Sequence, residues 1–353
     1  MANFQINTIT GKDSKRGTSF VGVTTVSSTG SMRIPSGPTE NRGGRGRGIF
    51  GGGYGASSPY PNLKTIDMIE VATTGNAVDF GDLTIGRTAN NMGSSSTRGL
   101  FAAGRYPGAN NDQSQIDYIT TSSGGGANDF GNLSNLPCNS TGFSDATRGI
   151  FAGGYDARTS PYLRSYAMTY VNIATTGDSS DFGDTVEPGR RDTSFSNATR
   201  GFTTGTATPS DSKRIEMAII QTKGSQIDFG ELSGQAVFEG NTQCQGGASS
   251  QTRGIIFSGK SSPSAAKNVI EYLTLSSQGN ALDFGDITNV GTSSGAAACG
   301  NQIRGVVRTT TANDGNVLEY VTIATTGNTT DFGDLATGRR VYSSFCDSHG
   351  GLG

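Results

Sequence analysis

The tripeptide Asp-Phe-Gly occurs six times in this chain, with its phenylalanines at Phe80, Phe130, Phe182, Phe229, Phe284 and Phe332. Successive spacings are 50, 52, 47, 55 and 48 residues. A fixed period of that length means a repeat architecture, in which each copy is one supersecondary unit. A second marker, Arg-Gly, keeps the same beat at Arg47, Arg98, Arg148, Arg200, Arg253 and Arg304. Apolar residues follow it, as in Ile49-Phe50, Leu100-Phe101 and Ile150-Phe151, and glycines or small residues end the run. Short apolar runs bounded by turn residues read as buried strands.

Between the two markers lies an alternating segment, for example Ile66-Asp67-Met68-Ile69-Glu70-Val71 or Leu318-Glu319-Tyr320-Val321. Period-two alternation predicts a strand with one wet face. A Gly-led dipeptide then turns the chain: Gly75-Asn76, Gly125-Gly126, Gly177-Asp178, Gly224-Ser225, Gly279-Asn280 and Gly327-Asn328. Glycine first suits a tight type II′ hairpin. Each unit therefore carries four short strands, which is one propeller blade, and six units predict six blades. Composition agrees: 54 Gly against 10 Pro, no collagen-like period and no helical periodicity describe an all-β chain rich in tight turns.

The blade resembles a Kelch repeat. Gly153-Gly154 matches the double glycine of that family, Tyr118, Tyr170, Tyr272 and Tyr320 match its tyrosine column, and Arg87, Arg190 and Arg339 match its returning arginine. The phenylalanine of Asp-Phe-Gly stands where the family has Trp, and this chain has no Trp. The double glycine is also lost in copies such as Thr203-Thr204-Gly205 and Arg308-Thr309. The resemblance covers residues 47–353 and implies an all-β, six-bladed, Kelch-like propeller on a divergent branch.

A propeller must join its first and last blades or leave an unpaired edge. The first unit lacks a strand before Arg47, whereas Arg339-Arg340-Val341-Tyr342-Ser343-Ser344-Phe345-Cys346 matches the segment following Arg190 in the third unit. Val341, Tyr342 and Phe345 are therefore expected to close the ring by pairing beside Gly48 to Gly52. The six repeated phenylalanines are expected to form the core between blades.

Residues 1–46 lie outside the repeat and read as an extended, turn-rich arm too small to hold a core of its own. Its segment Thr29 to Arg42 is similar to a short motif of bacteriophage virion proteins, in which an apolar-basic-apolar triplet and a Pro-x-Gly precede a fibre, tail or decoration module. Propellers with Asp-Phe-Gly-Asp strands likewise resemble structural proteins of marine phages. The resemblance implies a virion protein, present in multiple copies and folded in the host cytoplasm before assembly. Its arm would anchor to other virion proteins, with Met32, Ile34 and Pro35 as the candidate anchor residues. The propeller would then be free for protein contacts or a host-surface glycan or receptor. The alternative is a cellular Kelch-like adaptor or lectin.

Catalytic chemistry finds little purchase. The chain has one histidine, His349, so neither a two-imidazole copper or zinc site nor a well-placed Ser-His-Asp triad is expected. The acidic columns, Asp67, Asp117, Glu216, Glu271 and Glu319 together with the Asp-Phe-Gly set, follow the repeat and are expected to cap turns. The Arg-Gly arginines are expected to support their own blades. No cofactor is expected. Cys138, Cys244, Cys299 and Cys346 are widely spaced and read as small, buried or half-buried thiols rather than a disulfide framework. A net charge of -2 argues against a nucleic-acid partner, and the short Arg42 to Gly48 run reads as a hinge. No apolar stretch of 18 residues predicts a membrane span, and Met1 to Asn7 lack the pattern of a secretory signal.

Overall fold

The computed structural model describes residues 46–55, 61–88, 91–105, 113–134, 139–156, 163–189, 191–207, 211–233, 246–257, 268–289, 297–309, 315–340 and 343–352, together with the two short strands Thr25–Val26 and Met32–Arg33. Those two strands pair antiparallel, Val26 opposite Met32, within a unit spanning Met1–Asn41. Ile34 and Pro35 lie outside the described residues.

Residues 42–353 form the second unit, a six-bladed β-propeller of four-stranded antiparallel blades. From the axis outward, the second blade runs Asn91–Ser94, Arg98–Ala102, Gln115–Thr120 and Asn128–Asn132, and blades three to six repeat this order. The first blade is assembled from both ends of the unit. Its inner strand is Ser344–Cys346, followed by Arg47–Gly51, Thr65–Glu70 and Val78–Asp82. Gly48 pairs with Cys346, Ile49 with Phe345 and Phe50 with Ser344, so the ring is closed by the C-terminal strand. Val341 and Tyr342 lie outside the described residues.

The core is divided among the blade interfaces. Each Asp-Phe-Gly phenylalanine is at most 6% exposed and packs against apolar residues of the following blade. Phe182, for example, meets Ala218 and Ile220 of blade four, and Phe332 of the last blade meets Phe50, Ile69 and Val71 of the first. Tyrosines of the third strands meet these rings edge to face, as in Tyr170 to Phe182 at 5.9 Å. The glycine of Arg-Gly makes room for an inner-strand phenylalanine of the preceding blade: Gly99 for Phe345, Gly201 for Phe143, Gly254 for Phe195. The closing strand thus inserts its aromatic side chain as the interior blades do.

Two local expectations are corrected. The alternating third strand has no fully wet face. Asp67, Asp117, Glu216, Glu271 and Glu319 are at most 1% exposed, because the second sheet face lies against a neighbouring blade or its linker. The Gly-led dipeptide is not a two-residue hairpin either. The first cross-strand pair beyond the turn is Met68 with Val78, leaving a longer connection between them. Its glycine serves the ring instead: Gly75 N–H donates to Phe332 O of the preceding blade at 2.8 Å, and Gly125 N–H to Phe80 O at 2.8 Å.

Candidate functional site

In an antiparallel meander the connections alternate between the two ends of the strands. The inner-to-second and third-to-outer turns therefore share one face of the disc. The second-to-third loops and the linkers between blades share the other.

The tight-turn face is built from repeated polar locks. Three residues before each Arg-Gly arginine sits Ser95, Asp145, Asn197, Ser250 or Asn301, whose side-chain oxygen accepts from two backbone N–H groups of its own turn. This is an Asx or Ser turn, a side chain replacing a backbone acceptor. The first blade has no such turn because its inner strand, Ser344–Cys346, does not run directly into Arg47. Asp347 supplies the missing oxygen, accepting from Gly46 N–H at 2.9 Å and Arg47 N–H at 2.8 Å.

The arginines themselves reach forward rather than supporting only their own blade, which corrects the expectation above. Arg98 Nη1 donates to Ile173 O at 3.1 Å and Ala174 O at 2.8 Å, and Arg148 to Ile220 O and Gln221 O at 3.1 and 2.8 Å. The pattern continues through Arg200 and Arg253, and Arg304 of the last blade donates to Val71 O and Ala72 O of the first. Arg47 donates to Thr121 O of blade two. Four guanidiniums also lie over a tyrosine of their own third strand, at 4.4–5.2 Å from the ring centre.

The buried third-strand acids do not cap their own turns but hold the linker arriving from the preceding blade. Asp117 accepts from Thr84 N–H and Oγ1–H, Glu216 from Val186 N–H, Glu271 from Ser233 N–H, and Glu319 from Thr288 N–H. In two blades the returning arginine joins them: Arg87 to Asp117 and Arg339 to Asp67, each at 2.6 Å with both side chains fully buried. Arg190 lies outside the described residues. The Asp-Phe-Gly aspartates such as Asp79, Asp129 and Asp181 are exposed on the outer strands.

On the axis, all six inner strands line a cavity of about 60 Å³, enough for a few water molecules. Four serines there donate to the carbonyl of the neighbouring inner strand: Ser94 to Cys346 O, Ser144 to Ser94 O, Ser196 to Ser144 O and Ser249 to Ser196 O, at 2.6–3.0 Å. The C-terminal residues 347–352 cap this channel at the tight-turn end. His349, half-buried, turns its ring inward: Nδ1 accepts from Gly351 N–H at 3.0 Å, and Nε2 faces Ser94 O at 3.1 Å and Ser144 Oγ at 3.3 Å. Loss of hydration pushes this imidazole below its ordinary value. Burial pushes the Cys346 thiol up to about 12 and that of Cys299 well up too, so both are inert small hydrophobes in the seam between blades six and one. Cys138 and Cys244 lie outside the described residues.

Among the described residues, no group of three His, Cys, Asp or Glu side chains converges. The axial serines, His349 and the buried third-strand carboxylates make contacts between blades, whereas Asp79, Asp129 and Asp181 face outward. The turn column of Ser95, Asp145, Asn197, Ser250 and Asn301 escaped the reading of the sequence, although a Ser, Asp or Asn three residues before the arginine was its signal; Asp347, distant in sequence from Arg47, carried no such signal. No protein-family model matches the chain, and no curated protein matches it either.

Proposed function

We propose that this chain is a non-enzymatic structural and recognition protein of a bacteriophage particle, a tail, fibre or capsid-decoration component. In this reading residues 1–46 anchor a Kelch-like propeller to other virion proteins, and the propeller meets host or protein surfaces. One observation carries the reading beyond the likeness of Thr29 to Arg42 to virion motifs. The chain joins the propeller at Gly46, on the tight-turn face, where Asp347 pins it beside the axial cap. The strand ends Gly51 and Thr65, Ala102 and Gln115, and Glu231 and Gly246, separated by unequal lengths of sequence, belong to the opposite face. A propeller that the chain enters on one face while these strand ends lie on the other suits a displayed module. The repeated turns and arginine clasps tie each blade to the next.

Mass spectrometry of purified particles tests the reading together with deletion of residues 1–42. The full chain is expected in the particle, and the deleted chain is expected to fold but remain in the soluble fraction. A full chain missing from particles, or a deleted chain that incorporates normally, would overturn the proposal.

A further inference from the structure

We infer that the C-terminal cap is an acid-sensitive latch on the propeller ring, with His349 as its trigger. The geometry carries this. Residues 344–352 do two jobs in one short segment: Ser344–Cys346 closes the first blade, and the residues after it plug the axis. The plug is buried and meets the other blades through specific contacts. His349 reaches Ser94 and Ser144 of blades two and three, Gln251 of blade five donates to Gly350 O, and Gln302 of blade six donates to His349 O at 2.9 Å. Gly350 and Gly351 lie so close to Ser196 O and Ser144 O that neither position has room for a Cβ.

The hydrogen bonds assign the ring's protonation. Gly351 N–H points at Nδ1, so Nδ1 is the acceptor and the proton sits on Nε2, facing Ser94 O. A second proton can go only to Nδ1, where it meets the Gly351 N–H donor to donor. The ring and the Gly350–Leu352 turn cannot both stay in place. The carboxylate facing the imidazole from a packed element is Asp145, in the turn of blade three, and it favours the charged form. Asp347, on the same segment, is committed to Gly46 and Arg47. Ser94, Ser144, Ser196 and Gln302 do not titrate, and Cys346 remains a thiol. Desolvation outweighs Asp145, so the closed cap prefers the neutral ring.

The sign follows. The closed state binds a proton less readily than an open one with an ordinary imidazole near 6.5. Closure is fully favoured above that pH and weakens as pH falls, by about tenfold per pH unit until the closed-state value is passed. His349 is the chain's one histidine, so no other imidazole obscures the effect.

Amide hydrogen exchange on the full chain, corrected for intrinsic rates, tests this alongside an NMR titration of the imidazole. Between pH 7.5 and 5.5, protection at Gly46, Arg47 and Asp347 is expected to fall several-fold or more. Protection in Ala167–Asn172 of blade three should hold, and the imidazole should titrate below 6.5. In His349→Gln the pH dependence should flatten, whatever the absolute protection. An imidazole titrating at or above 6.5, unchanged protection in the wild type, or a His349→Gln profile that keeps the wild-type slope would overturn the latch. If the variant does not fold, the two wild-type readings decide.

Discussion

The carboxylate of Asp347 holds the backbone N–H of Arg47 at 2.8 Å across 300 residues of chain. In blade three the same bond joins Asp145 Oδ1 to Arg148 N–H, three residues away, also at 2.8 Å. The protein has therefore placed the seam of its ring inside a standard turn and rebuilt that turn from the two segments that meet there. Replacing Asp347 by Ala leaves two N–H groups without their acceptor and is expected to cost about 1–3 kcal/mol. Asp347→Asn should cost far less, because Asn197 and Asn301 perform the same task in blades four and six. Denaturant titration of the two variants checks this, and equal losses would contradict it.

Gly183 sits at a φ of 147°, with the backbone of Gly224 from the next blade where a Cβ would go. Gly183→Ala is expected to destabilise by more than the roughly 1–3 kcal/mol of backbone strain alone, because blade four must also retreat. Alanine at Gly224, where the added Cβ meets open space, carries the strain without the collision. Thermal unfolding should rank Gly183→Ala below Gly224→Ala.

Asp67 and Arg339 form a fully buried pair linking the first blade to the segment that closes it. Removing either charge alone, as in Asp67→Leu or Arg339→Met, is expected to cost about 3–5 kcal/mol by stranding the other. The double variant should recover a large part of that loss. A double-mutant cycle in urea reads the coupling, and strictly additive losses would show that the pair acts independently.

Much of the architecture was legible in the sequence because it is local. Asp-Phe-Gly and Arg-Gly recur once per blade, so counting them counts blades. The match of Arg339 to Cys346 with the third unit exposed the closing strand. What stayed hidden depends on the neighbouring blade. Nothing in Ile66-Asp67-Met68 tells that a linker and Arg339 cover Asp67, and nothing in Arg98-Gly99 tells that Arg98 reaches Ile173 while Gly99 shelters Phe345. Gly75-Asn76 has the composition of a tight hairpin, but the Gly75 N–H and the Asn76 side-chain oxygen are spent on docking to the preceding blade. His349 was visible only as a solitary imidazole near the chain's end, since no local pattern says that this end folds into the axis.

One ring is closed by its own C-terminal strand, and removing residues 343–353 tests that closure most directly. The deletion strips the first blade of its inner strand, takes Phe345 from its contact with Phe101 at 5.6 Å, and uncaps the channel. Equilibrium urea unfolding of the full chain is expected to show one cooperative transition. The deleted chain should show a lower midpoint, a shallower or split transition and a tendency to aggregate through the exposed Arg47–Gly51 edge. A deleted chain that stays monomeric and unfolds with the midpoint and slope of the full chain would contradict the closure.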